Sequence, residues 1–480
     1  MKLKKSLNLI NIFKKLRNYF YFFALVSLSA KIFYSNYSSN SLNLYTKKIR
    51  VLYPTKGIFI PESKEFDYDY CRSNVLNHHT YSNVKDSELV YVQLIMRHGD
   101  RAPYLINKSD KKLWKLCNKK KYEPIARPVY IVDISNKTAS FDYKVSKYSQ
   151  CLPGELTRKG ALASLNLGRS LRKVYVEKLK FLDNDITDQG QINVRTTFVD
   201  RTQETARFVL TGLYPLANQK KNVKITEYHY PSKNDSMFIN YKGCKRINTL
   251  RNEMYSSRQY QSYLKKNKKI NSKINLMIDD YRPNITKFNM SQKYQCDFLE
   301  SRICHKIPFP CNKLGKCANK SDAKVELDGI HFETRFSFRD NKNSLEYVKL
   351  TASPLFDQLM KELEFEILKR KRNDKPIPRT RLSIYSGHES TINKILGGFK
   401  ADDFNILFPP YNANVIIELW KSKISDNYKI RIFNNGRILK VLPIEGYKKP
   451  WCDLSECDYK VYSKYIYSLI PKNYTAECLV

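Results

Sequence analysis

The apolar run Leu89–Met96, followed at once by Arg97-His98-Gly99-Asp100-Arg101-Ala102-Pro103, constrains the fold more than any other part of the chain. The run is rich in Val, Leu and Ile and alternates poorly, which predicts a short strand buried on both faces. A glycine turn and a helix after such a strand form the arrangement through which an open α/β sheet presents ligand-binding groups. Arg97 and Arg101 flank His98 within that turn. Each guanidinium offers paired donors in a planar fork, so the two converge on a phosphoryl group with the histidine as a nucleophile between them. A lone histidine near a strand end is more often structural. The full string after a hydrophobic strand is far more specific.

Two further segments follow in a consistent order. Val194–Thr202 contains Asp200-Arg201-Thr202, and Leu382–Ser386 is an apolar strand that ends in Gly387-His388-Glu389, with a helix-like stretch Ile392–Gly398 behind it. Together the three segments resemble the signature of the histidine acid phosphatases, the secreted branch of the histidine phosphatase superfamily. The resemblance implies an α/β, phosphoglycerate-mutase-like core with a mixed, mostly parallel sheet flanked by helices, plus an inserted, mainly helical lid domain. Carried over residue by residue, it makes His98 the nucleophile and Glu389 the proton donor. Arg97, Arg101, Arg201 and His388 become the phosphate-binding groups, and Arg195 a supporting residue or salt-bridge partner.

That assignment fixes the expected chemistry. Neutral His98 attacks phosphorus in line and forms a phosphohistidine, which divides one hard hydrolysis into two easier steps. The arginines and His388 hold the equatorial oxygens, where charge sits in the transition state. Protonated Glu389 serves the leaving alkoxide and then, as carboxylate, activates water. The surrounding positive charge favours a neutral His98 but also an ionised Glu389, a conflict that an acidic working pH would relieve. No metal and no cofactor is implied, because the constellation supplies arginines for phosphate and no carboxylate cluster for a divalent ion. Glu389 is a departure. Most acid phosphatases of this family carry Asp there, and the inositol-polyphosphate branch has its Glu one residue further from the histidine. The extra methylene shifts the carboxyl on a scale to which catalytic placement is sensitive.

The resemblance extends, with gaps, from about Leu89 to Pro471, and is greatest to the prostatic acid phosphatase and 2-phosphoxylose phosphatase branch. Cys151–Gly160 resembles a Gly-x-Leu-Thr-x-x-Gly segment, with Thr157 as an N-cap and Leu162, Leu165, Gly168, Leu171 and Tyr175 as one buried helical face. Ser353-Pro354 is expected to open a helix through about Arg372, with Leu355, Leu359, Leu363 and Ile367 inward. Asn435-Gly436 marks a tight hairpin between Lys429–Phe433 and Arg437–Leu442. A Cys452–Cys457 disulfide is implied by the resemblance. The expected organisation is a signal peptide or signal anchor over 1–30, a linker over 31–68, the first part of the catalytic core over 69–214, the helical lid over 215–343 and the rest of the core over 344–480.

Composition bears on compartment and partners. Met1–Arg17 is basic and Tyr19–Ala30 apolar, a charged region before a hydrophobic run too short for an ordinary bilayer span. This permits a signal peptide or a type II anchor. The eleven cysteines lack the paired Cys-x-x-Cys of zinc sites, so disulfides are the better reading, with an odd thiol left over. Sequons at Asn107, Asn136, Asn234, Asn284, Asn289, Asn319 and Asn473 permit glycosylation. The net charge of +39 invites a nucleic-acid reading, but no such motif accompanies it. Abundant Lys, Asn, Ile and Tyr point instead to an AT-rich coding sequence, and basic runs such as Lys119–Lys121 are expected to be solvated faces or helix C-termini.

The function expected is a secretory-pathway acid phosphatase acting on anionic phosphate monoesters, lumenal, secreted or held at a membrane by its N-terminus. A narrow-specificity enzyme for a phosphosugar, glycan or inositol polyphosphate is the alternative. A weakened phosphatase fold used for binding is a third reading, motivated by Glu389 alone.

Overall fold

The computed structural model describes residues 70–479 apart from 107–109, 135–137, 142–148, 217–224, 280–291, 372–379 and 403–405. The signal or anchor segment, the linker and the sequons at Asn107, Asn136, Asn284 and Asn289 lie outside the described residues.

In chain order, strand β1 is Ser87–Arg97, β2 Val129–Asp133 and β3 Thr138–Phe141. Helix α1 (Arg158–Leu171) runs on into a π-helical turn, Arg172–Lys178, and is followed by β4 (Ile192–Thr197), α2 (Asp200–Leu213) and β5 (Ile225–Tyr230). Helices α3 (Lys245–Ser256), α4 (Arg258–Asp279), α5 (Gln292–His305), α6 (Lys320–Arg335) and α7 (Ser344–Lys371) then intervene. The chain returns through β6 (Leu382–Gly387), α8 (Glu389–Gly398), β7 (Asn414–Ser422), β8 (Tyr428–Asn434), β9 (Arg437–Ile438), β10 (Cys457–Asp458), α9 (Tyr459–Ser468) and α10 (Tyr474–Leu479).

The strands form a mixed sheet in the order β10-β8-β7-β1-β6-β4-β5-β2-β3, with β9 on β8. Its parallel part is the block β1-β6-β4-β5-β2, and antiparallel strands extend both edges. Tyr91 and Ile95 of β1 pack into one apolar layer while Val92, Leu94 and Met96 pack into another, so the central strand is covered on both faces. This explains its near-continuous apolar sequence. Register then does the positioning. Arg97 pairs with Gly387 across the parallel β1/β6 ladder, so the residues that follow, His98 and His388, emerge side by side.

Helix α1 begins as its sequence suggests, with the Thr157 hydroxyl accepting the Gly160 N–H at 3.1 Å. Gly160 is required for approach: a Cβ there would come within 2.1 Å of the Asp100 carbonyl, so any side chain would push the helix off the His98 turn.

Four expectations need correction. Residues 225–230 belong to the sheet, not to the lid: β5 lies between β4 and β2, and its buried Glu227 accepts the Thr196 hydroxyl at 2.8 Å. Polar residues on a central strand hide its periodicity. Helix α7 starts at Ser344, not at Ser353, and Pro354 lies inside it. The proline withholds a hydrogen bond from the Leu350 carbonyl, but buried Tyr347, Val348, Leu350 and Ala352 anchor the turns before it. The last hairpin turns at Asn435 and Gly436, both with positive φ, yet only Arg437 and Ile438 pair back. Beyond them Val441 bridges to Ala401 instead. Lys119 is not solvated. It is fully buried between Glu155 at 3.4 Å and Glu204 at 3.3 Å.

Disulfides join Cys71–Cys304, Cys117–Cys151, Cys244–Cys478, Cys311–Cys317 and Cys452–Cys457, and Cys296 is a buried free thiol. Such a set forms and persists in an oxidising, secretory-type compartment. Among the described residues no helix is long and apolar enough to cross a membrane.

Candidate active site

The carboxyl ends of β1, β4 and β6 meet at one cluster of buried polar groups, where open α/β sheets place their ligands. His98 is fully buried. Its Nδ1 lies 2.9 Å from the Gly99 carbonyl and so carries the proton, donating to it. Among the described residues its Nε2 has no hydrogen-bond partner, which leaves that lone pair aimed into the cluster. The turn is pinned around it: the Gly99 N–H donates to Thr205 Oγ1 at 2.9 Å, and the Asn412 N–H to the His98 carbonyl at 3.2 Å. Burial, with Arg201, Arg97 and Arg101 nearby, holds the His98 imidazole well below the usual histidine range and therefore neutral.

The arginines are fixed by different means. Arg97 donates to the Pro409 carbonyl and, at 3.1 Å, to Tyr70 Oη, and its guanidinium lies over the Tyr411 ring at 4.4 Å. Arg101 pairs with Asp297 at 2.8 Å and sits 3.9 Å from the centre of the Tyr104 ring. Arg201, on the first turn of α2, donates to Tyr104 Oη at 2.8 Å. The Nε atoms of all three are buried without a partner among the described residues. Three guanidiniums with donors unused, around a neutral imidazole nitrogen, make an anion site.

His388 lies beside them, its ring 5.6 Å from that of His98. Its Nε2 is 3.0 Å from Thr197 Oγ1 and its Nδ1 3.4 Å from Arg201 Nη2, while Phe238 stacks on its face at 4.9 Å. Burial and Arg201 push its pKa down to about 3. Glu389, the first residue of α8, forms an ion pair with Lys293. Burial would raise its carboxyl, but Lys293 and Arg97, with His388, hold it well below the usual range. Ligand atoms of His98, His388 and Glu389 lie within 4.8 Å of one another, a spacing a metal ion could use. The encircling Arg97, Arg101, Arg201 and Lys293 oppose a cation there and favour an oxyanion.

All six residues singled out in the sequence thus converge. Arg195 lies apart, paired with Asp235 at 2.6 Å, and the Asp235 loop carries Phe238. Sequence reasoning missed Tyr70, Tyr104, Thr197, Phe238, Lys293 and Asp297. Thr197 and Tyr104 adjoin the motifs and could have been suspected. Nothing in the pattern of α5 marked Lys293 or Asp297.

A buried histidine nucleophile candidate, ringed by arginines at the mouth of a parallel sheet block, defines a phosphoryl-transfer site. The model of the histidine phosphatase superfamily (branch 2) matches residues 88–435, and the chain belongs to that family. It is a phosphoric monoester hydrolase. Among its relatives, human 2-phosphoxylose phosphatase 1 is 26% identical over 362 residues, covering 73% of this chain and 71% of that protein. A probable acid phosphatase of Dictyostelium discoideum is 24% identical over 445 residues, 86% of each chain. The phytase of Citrobacter braakii superposes with a TM-score of 0.49 at 16% identity, over 82% of this chain and 99% of that one.

Proposed function

We propose that the chain is an acid phosphatase of the secretory pathway that works through a phosphohistidine on His98. The observation that carries this reading is the state of His98: Nδ1 tied to a carbonyl, Nε2 buried and unpartnered, three arginines around it. Nε2 attacks phosphorus opposite the leaving oxygen while Arg97, Arg101, Arg201 and the Nδ1 edge of His388 hold the other oxygens. As the P–O bond breaks, Glu389 passes its proton to the departing alkoxide. Glu389 then takes a proton from water, whose oxygen attacks phosphorus and displaces His98 with inorganic phosphate as product. Because His98 stays neutral well below pH 6.5, the nucleophile is ready in acid, the condition that also favours the proton Glu389 must carry against its surrounding cations. The disulfides support lumenal or extracellular operation; secretion or anchoring would be decided by the N-terminal segment.

The test is hydrolysis of an aryl phosphate by wild type and His98→Ala across acid to neutral pH. Loss of turnover in the mutant is expected. Turnover at the wild-type rate would eliminate the mechanism.

A cleft beside the pocket favours a narrower second reading. It encloses about 490 Å³, and Phe238, whose ring stacks on His388, forms part of its wall with Lys233, Ser353, Lys472 and Tyr474. None of the six catalytic and phosphate-binding residues lines it, so a leaving group larger than a simple alcohol, such as a glycan, would have to pass the Phe238 ring to reach it. Activity on one phosphosugar in a substrate panel, with little on aryl phosphate, would favour this version.

A further inference from the structure

Glu389 is held by a side chain from outside the signature segments. Lys293 stands on the first turn of α5, in the insertion, and its Nζ contacts Glu389 Oε1. The other charged or titratable groups around the carboxylate come from the sheet ends: Arg97 from β1, Arg201 from α2, His98 from the turn after β1, and its own neighbour His388, with Arg101 beside Lys293.

These cations differ in freedom. Arg97 is locked by the Pro409 carbonyl, Tyr70 and Tyr411, and Arg101 by Asp297. The Lys293 side chain is 39% exposed on a flexible four-carbon stem, and an ammonium is a compact charge with rotatable donors. In the empty pocket Glu389 is its counter-charge. A phosphate monoester brings a competing anion into the same ring of cations.

We propose that Lys293 is a positioning residue whose ion pair with Glu389 is exchanged for a phosphoryl oxygen of the substrate, freeing the carboxyl to take up a proton only when the pocket is occupied. The inference rests on the phosphohistidine reading above. Before binding, Lys293 keeps the carboxylate ionised and anchored. On binding, Lys293 turns to the phosphoryl group, and the carboxylate is left facing a second anion, which favours its protonated form. One proton comes from solvent, passes to the leaving oxygen, and is replaced from the attacking water. Helix α5 thereby contributes to proton loading.

The experiment is the pH dependence of kcat/KM for an aryl phosphate with full-length wild type, Lys293→Met and Lys293→Arg. This parameter reports the free enzyme and kcat, followed alongside, the occupied pocket, while the substrate's own ionisation is common to all variants. Exchange requires the alkaline limb of kcat to lie at nearly the same pH in wild type and Lys293→Met. A kcat limb that moves with that of kcat/KM would mean a pair kept through turnover and overturn the exchange. Without the ammonium, Glu389 keeps its proton to higher pH. The alkaline limb of Lys293→Met should therefore move up by about one pH unit or more, with a raised KM, and Lys293→Arg should restore the wild-type limb. Lys293→Gln carries the same expectation should the Met variant fail to fold. A higher KM with an unmoved limb is what a lysine that only binds phosphate would give, and it would overturn the proposal. His98→Ala, run alongside, separates the two readings. Turnover there removes the phosphohistidine mechanism, whereas an inactive His98→Ala with an unmoved limb in Lys293→Met removes the Lys293 exchange alone.

Discussion

Asp297 of α5 holds Arg101 at 2.8 Å through one carboxylate oxygen and accepts the Tyr104 N–H at 3.0 Å through the other. The two charged side chains are 5% and 2% exposed, so the pair is desolvated, and its partners come from a helix between β5 and β6 and from the turn after β1. An arginine in such a place needs a counter-ion to stay ordered without substrate. The same carboxylate orients the guanidinium whose Nε is left unpartnered.

Asp297→Asn tests this arrangement. Breaking a buried pair from one side leaves an uncompensated charge, and a cost of about 3 kcal/mol in stability is expected from denaturant unfolding. The residual Arg101 would also lose its orientation, so kcat/KM for an aryl phosphate should fall by roughly tenfold or more. Unchanged stability together with unchanged turnover would show that Asp297 neither stabilises nor aims the arginine.

Thr197 gives a second, smaller prediction. Its hydroxyl meets His388 Nε2 at 3.0 Å and Thr202 Oγ1 at 2.8 Å, and the ring's other nitrogen faces Arg201. Which nitrogen of a neutral histidine carries the proton is set by the bond the other makes. Thr197→Val keeps the shape and removes the hydroxyl. A net hydrogen bond of about 1 kcal/mol corresponds to a loss of roughly fivefold to tenfold in kcat/KM. The fold should survive, as judged by circular dichroism, and His98→Ala should remain far more damaging.

Sequence reasoning served best where one strand dictates one turn. β1 and β6 are short apolar runs that end in Arg97-His98 and Gly387-His388, and their parallel pairing is what brings the two histidines together. Neither the register nor the pairing had to be known for the residue types to be recognised. Legibility failed where function depends on a residue whose own helix gives no sign of it. α5 reads Gln-Lys-Tyr-Gln-Cys-Asp, and nothing in that string says that Lys293 reaches Glu389 or that Asp297 reaches Arg101. Both contacts depend on where an inserted helix docks, which the Cys71–Cys304 disulfide helps to fix. β5 is hidden for a related reason: Glu227 is buried on it with Oε1 accepting from Thr196, and a pattern of hydrophobicity cannot register a buried polar residue on a strand.

Helix α6 carries the last prediction, which concerns stability against pH. Glu326 is fully buried, and burial, reinforced by Glu333 and Asp322, pushes its carboxyl up to about 8 from 4.5. A carboxyl raised in the folded state stays protonated there while the unfolded chain ionises. Its contribution to stability is therefore complete below about pH 4.5 and is lost progressively as pH rises to about 8. Glu326→Gln retains the shape and cannot ionise, so it lacks this loss. The unfolding free energy of the variant, measured relative to wild type, should rise by about 2–4 kcal/mol between pH 5 and pH 8 and change little above that. A difference that stays flat across the window would mean that Glu326 ionises at an ordinary pH in the folded protein. The predicted slope would suit an enzyme at home in acid, because α6, which packs against the α5 that bears Lys293 and Asp297, would be firmest there.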